Sequence, residues 1–452
     1  MVAVHIGCGA GFAGDRFDAS LPVIEALSHH DGPRYLIFEV LAERTLALAQ
    51  QVRQQDPGLG FSPFLESYLR LALGPALAAG VRIVSNMGAA NPLGGARRIH
   101  ALSAELGLRP PRIAIVTGDD LSLTMTPAEI RACPTMEGTD LAGRPLIAAN
   151  AYLGARPVAR ALATGAEIVL VGRSTDSALV LGPLIHEFGW REDAWDLLAA
   201  GIAAGHLLEC GAQVTGAYFA DPGFKDVPDL ARVGFPIAEI APDGGCVITK
   251  PPGTGGCVTP ATVTEQILYE IHNPAAYLTA DVTLDLSEMR LNREGPDRVQ
   301  VCDARGHAPP DTLKATLCVE NGWLGEAEIS YAGPNALARA RLAGQVVAER
   351  LALQGVNQPP RVEVIGAGSV LGPGGGPGEA APDGDYRTRV AMLSESRAGA
   401  QRVADEVLSL YCSGPAGGGG VRSHVTPQLA TASILVPRAP VEAAVTVTEV
   451  LP

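Results

Sequence analysis

Several short stretches of this chain join acids, amides and guanidinium groups in ways that can move protons or hold anions. Adjacent carboxylates at Asp119-Asp120 can supply a general base whose pKa neighbouring charge raises. They can equally hold a hard divalent ion. Glu43-Arg44 offers another base beside a clamp for carboxylate or phosphate, or simply an exposed first helical turn with its acid at the favoured end. Asn86, and Asn91 with Pro92, place two amides in a loop of small residues. Asn91-Pro92 also reads as a helix cap, whereas Asn86 does not, which makes Asn86 the better candidate for orienting a carbonyl.

Arg173-Ser174-Thr175-Asp176 resembles an anion pocket built from side chains and a helix start, and Asn150 stands just before another helix. In Gly7-Cys8-Gly9-Ala10-Gly11, followed by Asp15-Arg16, the missing Cβ atoms of Gly9 and Gly11 let backbone N–H groups approach an anion. The spacing aligns as GxGxxxxG rather than as a dinucleotide fingerprint, and Glu39 is the one acid placed to hold a ribose. Lys250 precedes a loop containing Gly255 and can reach an anion over it, but the GK[ST] ending of a P-loop is absent. Glu209-Cys210 pairs a thiol with an acid and no histidine is adjacent, so Cys210 reads as a small buried residue.

These clusters share a position. Val2–Ile6, Tyr35–Phe38, Arg82–Val84, Ile113–Val116, Ile168–Val171 and Arg361–Ile365 are runs of apolar and β-branched residues, each followed by a small or polar cluster and then a helix-like stretch. That rhythm predicts an α/β fold with a mostly parallel sheet, in which the loops after the strands open on one edge. Helices are expected at Ala42–Arg53, Ala96–Leu106, Ala155–Ala163, Ala203–Gly211, Ala336–Gln354 and Ser396–Leu410. Leu313–Val319 and Glu326–Tyr331 alternate as a half-buried hairpin would, and Val362–Val370 reads as a strand. Gly372–Gly384 reads as a surface loop. The division expected is a Rossmann-like domain over 1–200, a Gly/Pro-rich connection carrying active-site loops over 201–275, and a second mixed α/β domain over 276–452.

At 452 residues the chain exceeds one ordinary core, and 47% hydrophobic residues suffice for large ones. A formal charge of −14 with no long Lys/Arg run excludes nucleic acid and anionic membranes as partners. Apolar runs break before the roughly 18 residues a membrane span needs, and no signal-like segment precedes the first strand, so a cytoplasmic protein is expected. The eight scattered cysteines read as reduced thiols. The nine histidines show no metal-like spacing, so no residue is assigned to a metal; Mg²⁺ is the one ion that Asp119-Asp120 would suit. The cofactor is otherwise unknown. A homo-oligomer is expected of so large and apolar an acidic chain.

Taken in order, GCGAGFAGDR, FEVLAERTLAL, NMGAANPLGGA, TGDDL, NAYLGARPVARAL, VGRSTDSALVLGPL, ECGAQVTGAYF and KPPGTGG resemble the acyclic terpene utilisation (AtuA) family, from residue 1 to about 450. The family pattern carries Asp where this chain has Glu39. The resemblance implies a catabolic setting alongside acyl-CoA carboxylases and hydratases for branched or terpenoid acids. It also implies a small accessory domain, sometimes fused at the C-terminus in the family, which a separate chain would supply here if the function needs it. Two functions follow as expectations. One is an enzyme of lyase or hydratase type acting on an organic acid or acyl-CoA, with Asp119, Asp120 or Glu43 as base. In it Arg16, Arg44 and Arg173 hold the anion, and Asn86 with the first glycine loop faces an enolate-like oxyanion. The other is a non-catalytic subunit that binds an acyl-CoA or carboxylate for a partner enzyme. A nucleotide-dependent ligase or kinase and a nicotinamide dehydrogenase lack their motifs.

Overall fold

The computed structural model describes residues 2–136, 138, 143–370 and 384–452. In chain order the elements are β1 (Val4–Ala10), α1 (Ser20–Ser28), β2 (Arg34–Phe38), α2 (Glu43–Gln55), α3 (Leu65–Ala79), β3 (Arg82–Ser85), α4 (Pro92–Glu105), β4 (Ile113–Thr117), α5 (Pro127–Ala132), β5 (Leu146–Ala151), α6 (Arg156–Ala163), β6 (Ile168–Val171), α7 (Ala178–Phe188) and α8 (Trp195–Glu209). There follow β7 (Ile237–Ile240), β8 (Cys246–Thr249), α9 (Pro260–Leu268), β9 (Tyr277–Leu278), β10 (Thr283–Asp285), β11 (Arg290–Gly295), β12 (Arg298–Cys302), β13 (Arg305–His307), β14 (Thr312–Ala332), α10 (Ala336–Leu353), β15 (Arg361–Ile365), β16 (Asp385–Ser394), α11 (Arg397–Ser413), β17 (Gly419–Pro437), α12 (Arg438–Ala444) and β18 (Thr446–Val450). The fold is mixed α/β.

The residues form two compact units. One comprises Met1–Ala142, Leu146–Cys318 and Thr431–Pro452; the other comprises Gly143–Pro145 and Val319–Ala430. The first unit thus runs through both 200 and 275. Among the described residues no helix is long and apolar enough to cross a membrane.

The first unit is built on a ten-stranded sheet of order β11-β12-β8-β7-β1-β2-β3-β6-β4-β18. Only the central run β1-β2-β3-β6-β4 is parallel. The flanking strands are antiparallel on both sides. The expectation of a mostly parallel, Rossmann-like sheet is therefore corrected to a mixed sheet with a parallel centre. In a dinucleotide fold β1 lies inside the parallel run, whereas here it borders antiparallel β7. A sequence shows that a strand exists but not which way its neighbour points. The parallel strands read as unbroken apolar runs because helices cover both faces: every residue of β1 and β6 is buried. Helices α1, α3 and α4 pack together on one face, and α6, α7 and α8 on the other.

The second unit holds the sheet β15-β16-β14-β17, with α10 and α11 packed on β16 around Ile329, Val347, Val390 and Val407. Two expectations fail here. Leu313–Val319 and Glu326–Tyr331 are not arms of a hairpin but parts of the single strand β14, whose residues 323–332 pair with 394–385 of β16. Alternation persists through both segments because one continuous strand keeps one face buried. The sixth strand, Arg361–Ile365, is antiparallel to β16 and does not belong to the parallel sheet; it ends at Ile365 rather than Val370. The Gly372–Gly384 loop lies outside the described residues except for Gly384.

Candidate functional site

In a parallel sheet the residues just past each strand share one edge, and a crevice opens where successive connections leave to opposite faces. Neighbouring β3 and β6 meet this condition. The helix after β3 is α4, on one face, and the helix after β6 is α7, on the other. Glu39 directly follows β2, Asn86 directly follows β3, and Arg173 and Asp176 follow β6. At this crevice position of the topology, acids gather around one arginine.

Arg173 is 2% exposed. Its Nη2 donates to Asp176 Oδ1 at 2.8 Å, its Nη1 donates to the carbonyl of Leu41, and its guanidinium lies 4.1 Å from the Tyr152 ring centre. Burial alone would lower its pKa, but Asp176, Tyr152, Glu39 and Glu43 outweigh that and keep it charged. Burial pushes Asp176 up to about 7; Arg173 pulls it down, while Glu209 and Glu43 push it further up. Glu39 is also raised, first by burial and then by Asp176. Two buried carboxyls beside one fixed cation are thus both held above the ordinary carboxylate range.

The remaining residues hold this group in place. Asn86 donates to Glu39 Oε1 at 2.7 Å and accepts from Val40 N at 2.8 Å, so both ends of its amide are committed to aiming Glu39. Asp119 accepts from Arg173 N and from Asn150 Nδ2, both at 2.9 Å, which fixes the backbone that carries the guanidinium. It is almost wholly enclosed, and burial raises it to about 6. On the outer side Tyr152 donates to Glu43 and stacks under Lys314, whose Nζ is 4.8 Å from its ring centre. Burial would raise Glu43, but the Tyr152 hydroxyl, Arg173 and Lys314 hold it down at about 2.

Helix α8 brings a further acid. Gly205 comes so close to Ser177 that a Cβ would lie 2.7 Å from the Ser177 Cα, and one turn later Glu209 reaches the electrostatic range of Asp176. His206 Nδ1 pairs with Glu209 Oε1 at 2.8 Å. Burial would lower His206, but Glu209 outweighs it and favours the imidazolium. The first glycine loop closes against the same point: a Cβ on Gly11 would lie 2.2 Å from the Gly211 nitrogen. Tyr277 adds a hydroxyl that burial, Glu209 and Asp176 keep protonated. Arg173 Nε, Ser174 Oγ, Ser177 Oγ, His206 Nε2 and Gln266 Oε1 are buried without a hydrogen-bond partner. Unpaired buried polar atoms are uncommon in folded proteins, and each calls for an explanation.

The structure thus gathers Glu43, Asn86, Asp119, Asn150, Arg173, Ser174 and Asp176 around one crevice. Asp15 belongs to its rim, with Oδ2 accepting from Gly11 N at 3.0 Å, which leaves that N–H committed within the loop. Gly9 lies within β1, close against the Phe38 ring. Other candidates serve elsewhere. Arg16 pairs with Asp18 at 3.1 Å and donates to the Val233 carbonyl. Arg44 is exposed and makes no ion pair among the described residues. Asn91 caps α4, accepting from Gly94 N at 3.0 Å. Asp120 accepts from Ser122 N and Oγ, and its Oδ2 faces Gln50 Nε2 at 3.4 Å and Arg53 at 3.8 Å. Lys250 is tied to Asp297 at 3.3 Å and to the Thr254 carbonyl. Gly255 pairs with Val233 in an isolated bridge and packs on the Asp229 carbonyl.

Sequence reasoning passed over His206, although its place three residues before Glu209 on one helix is a visible sign of pairing. Tyr277 and Lys314 carry no such sign, since they arrive from far along the chain.

A family model described as "Acyclic terpene utilisation family protein AtuA" matches residues 4–447. The chain belongs to the acyclic terpene utilisation family. No curated protein and no solved structure matches it. The match spans both units, so family membership covers the strand-end crevice together with the sheet that carries it.

Proposed function

We propose that this family member is an enzyme that abstracts a proton next to the carbonyl of an acyl thioester, as the first half of a lyase or hydratase reaction. The observation that carries the reading is the carboxyl of Asp176, raised to about 7 beside the fixed charge of Arg173 at the switch point of the sheet. A base works best when its pKa lies near the operating pH. The C–H bond breaks toward Asp176, and the electron pair moves to the carbonyl oxygen. Arg173 and the neutral hydroxyl of Tyr277 supply positive charge and a donor for that oxygen. Glu39 shares the proton and Asn86 aims it. Glu43, held near 2, is too weak a base for this task and instead anchors Tyr152 and Lys314.

The charge balance bears on the substrate. Glu39, Glu43, Asp176 and Glu209 face Arg173, Lys314 and His206, so even with one shared proton no cation is left over to balance a free carboxylate at the reacting carbon. A thioester is neutral there and keeps its anionic groups remote, which favours acyl-CoA over a free acid. The family description supports a branched, terpene-derived acyl chain.

The test is deuterium exchange at the α-carbon of branched acyl-CoAs incubated with the purified chain in D₂O, read by mass spectrometry. Exchange is expected in the wild type and its loss in Asp176→Asn. Tight binding of acyl-CoA with no exchange would instead support the accessory-subunit reading.

A further inference from the structure

We propose that His5, His30 and Glu239 form a binding site for a divalent transition ion of the zinc class. The site stands apart from the crevice, at the opposite edge of the parallel strands. His5 lies at the start of β1 and is paired directly with Glu239 of antiparallel β7, so both side chains leave the same face of the sheet. His30 follows α1 in the turn toward β2 and stacks on His5, with ring centroids 4.1 Å apart and planes at 20°. One ligand atom from each of the three residues lies within 4.8 Å of the others. His5 is 8% exposed, and its Nδ1 is buried without a partner.

Two imidazoles and one carboxylate suit Zn²⁺ or Co²⁺, whereas Mg²⁺ and Ca²⁺ prefer oxygen alone. Three protein ligands leave a fourth tetrahedral position for water. As they stand, the stacked rings do not aim both lone pairs at one point. His30 sits half-buried on a turn, and rotation of its side chain brings its nitrogen round. The groups facing the site are Glu239, Arg298 and Arg34. Arg298 clamps Glu239 with two contacts of 2.8 Å and also reaches Glu294 at 3.5 Å. It is therefore the ion's competitor, and Glu294 can retain it when Glu239 is surrendered. A bound ion would tie β1, β7 and the α1–β2 turn together, so its first effect is on stability.

The experiment uses the full chain without a histidine tag, stripped with a chelator and dialysed, then titrated with Co²⁺ and Zn²⁺. Co²⁺ should give tetrahedral ligand-field absorption saturating at one ion per chain, and Zn²⁺ should abolish that absorption and raise Tm. His30→Ala and Glu239→Gln should each weaken binding by roughly 10- to 100-fold or more, since even partners outside the ligand set are worth that much. Arg298→Met should tighten it, because the carboxylate no longer has to be won from the guanidinium. Asp176→Asn should leave it unchanged, which separates this site from the crevice. Absence of saturable binding, or binding indifferent to both His30→Ala and Glu239→Gln, would overturn the proposal, as would weaker binding in a folded Arg298→Met variant.

Discussion

The second unit carries its own cluster of arginines and glutamates, set on the half-buried face of a sheet rather than at strand ends. Arg389 of β16 donates to Glu326 of β14 at 2.9 and 3.0 Å and to Glu363 of β15 at 2.6 Å, while Arg387 reaches Glu328 at 3.2 Å. Glu326 is held below the ordinary glutamate range by Arg389. Burial would raise Glu363, but Arg389 and Arg361 bring it down. In the first unit the same residue types gather around Arg173, yet Glu39 and Asp176 move the other way. The difference lies in matching and access to water. Cross-strand register gives Glu326, Glu328 and Glu363 each an arginine, so this cluster acts as a fastener. Around Arg173 acids outnumber cations under burial, and Glu39 and Asp176 are raised instead; a proton retained there is what the proposed reaction requires.

The largest expected difference is catalytic. Asp176→Asn should slow α-carbon deuterium exchange by about 10²- to 10⁴-fold, the usual worth of a general base, while Glu326→Gln leaves it unchanged. Mass spectrometry of the exchanged acyl-CoA separates the two, and equal rates in both variants would erase the contrast.

Removing the central cation should come next. Arg173→Met leaves buried carboxyls without their countercharge and should cost about 3–5 kcal/mol in urea unfolding. Arg389→Met, at a more exposed cluster, should cost about 1 kcal/mol. Comparable losses would mean that Arg173 is a fastener too.

A smaller effect concerns a residue that looked chemical in the sequence. Asn91→Ala removes the cap of α4 and should lower stability by about 1 kcal/mol without touching exchange, as thermal unfolding and the exchange assay together would report.

The comparison is sharpened further by pH dependence, where the two clusters should run in opposite senses. Asp176, raised from 3.8 to about 7, stabilises the fold below its unfolded value and loses that contribution as pH rises toward 7. Asp176→Asn should therefore gain on the wild type between about pH 4 and pH 7. Glu326, lowered from 4.5, contributes above that value and loses the contribution on acidification, so Glu326→Gln should be the less stable chain at neutral pH and converge with the wild type in acid. Unfolding free energies at stepped pH check both signs.

The sequence made the strand ends legible because parallel strands covered on both faces are unmistakably apolar and stop abruptly. Arg173, Asp176, Asn86 and Asp119 could be named from that alone. Their division of labour could not. Asp119 reads as a base in the sequence, and in the structure it accepts from Arg173 N; Asn86 reads as an oxyanion donor, and in the structure it donates to Glu39. Both facts depend on which strands become neighbours, and β6 inserts between β3 and β4 with no local mark in the sequence. Strand direction was hidden for the same reason, as β15 and β18 show. The pairing of His5 with Glu239 joins residues more than 230 positions apart and lies beyond any spacing rule.

The central claim is that the crevice holds a carboxyl proton at neutral pH that Asp176 gives up. Infrared difference spectroscopy between about pH 6 and about pH 8 tests it most directly. The wild type should lose a protonated-carboxyl band over that interval, and Asp176→Asn should lack the change. A wild type with no such band, or a band that persists unaltered in Asp176→Asn, would contradict it.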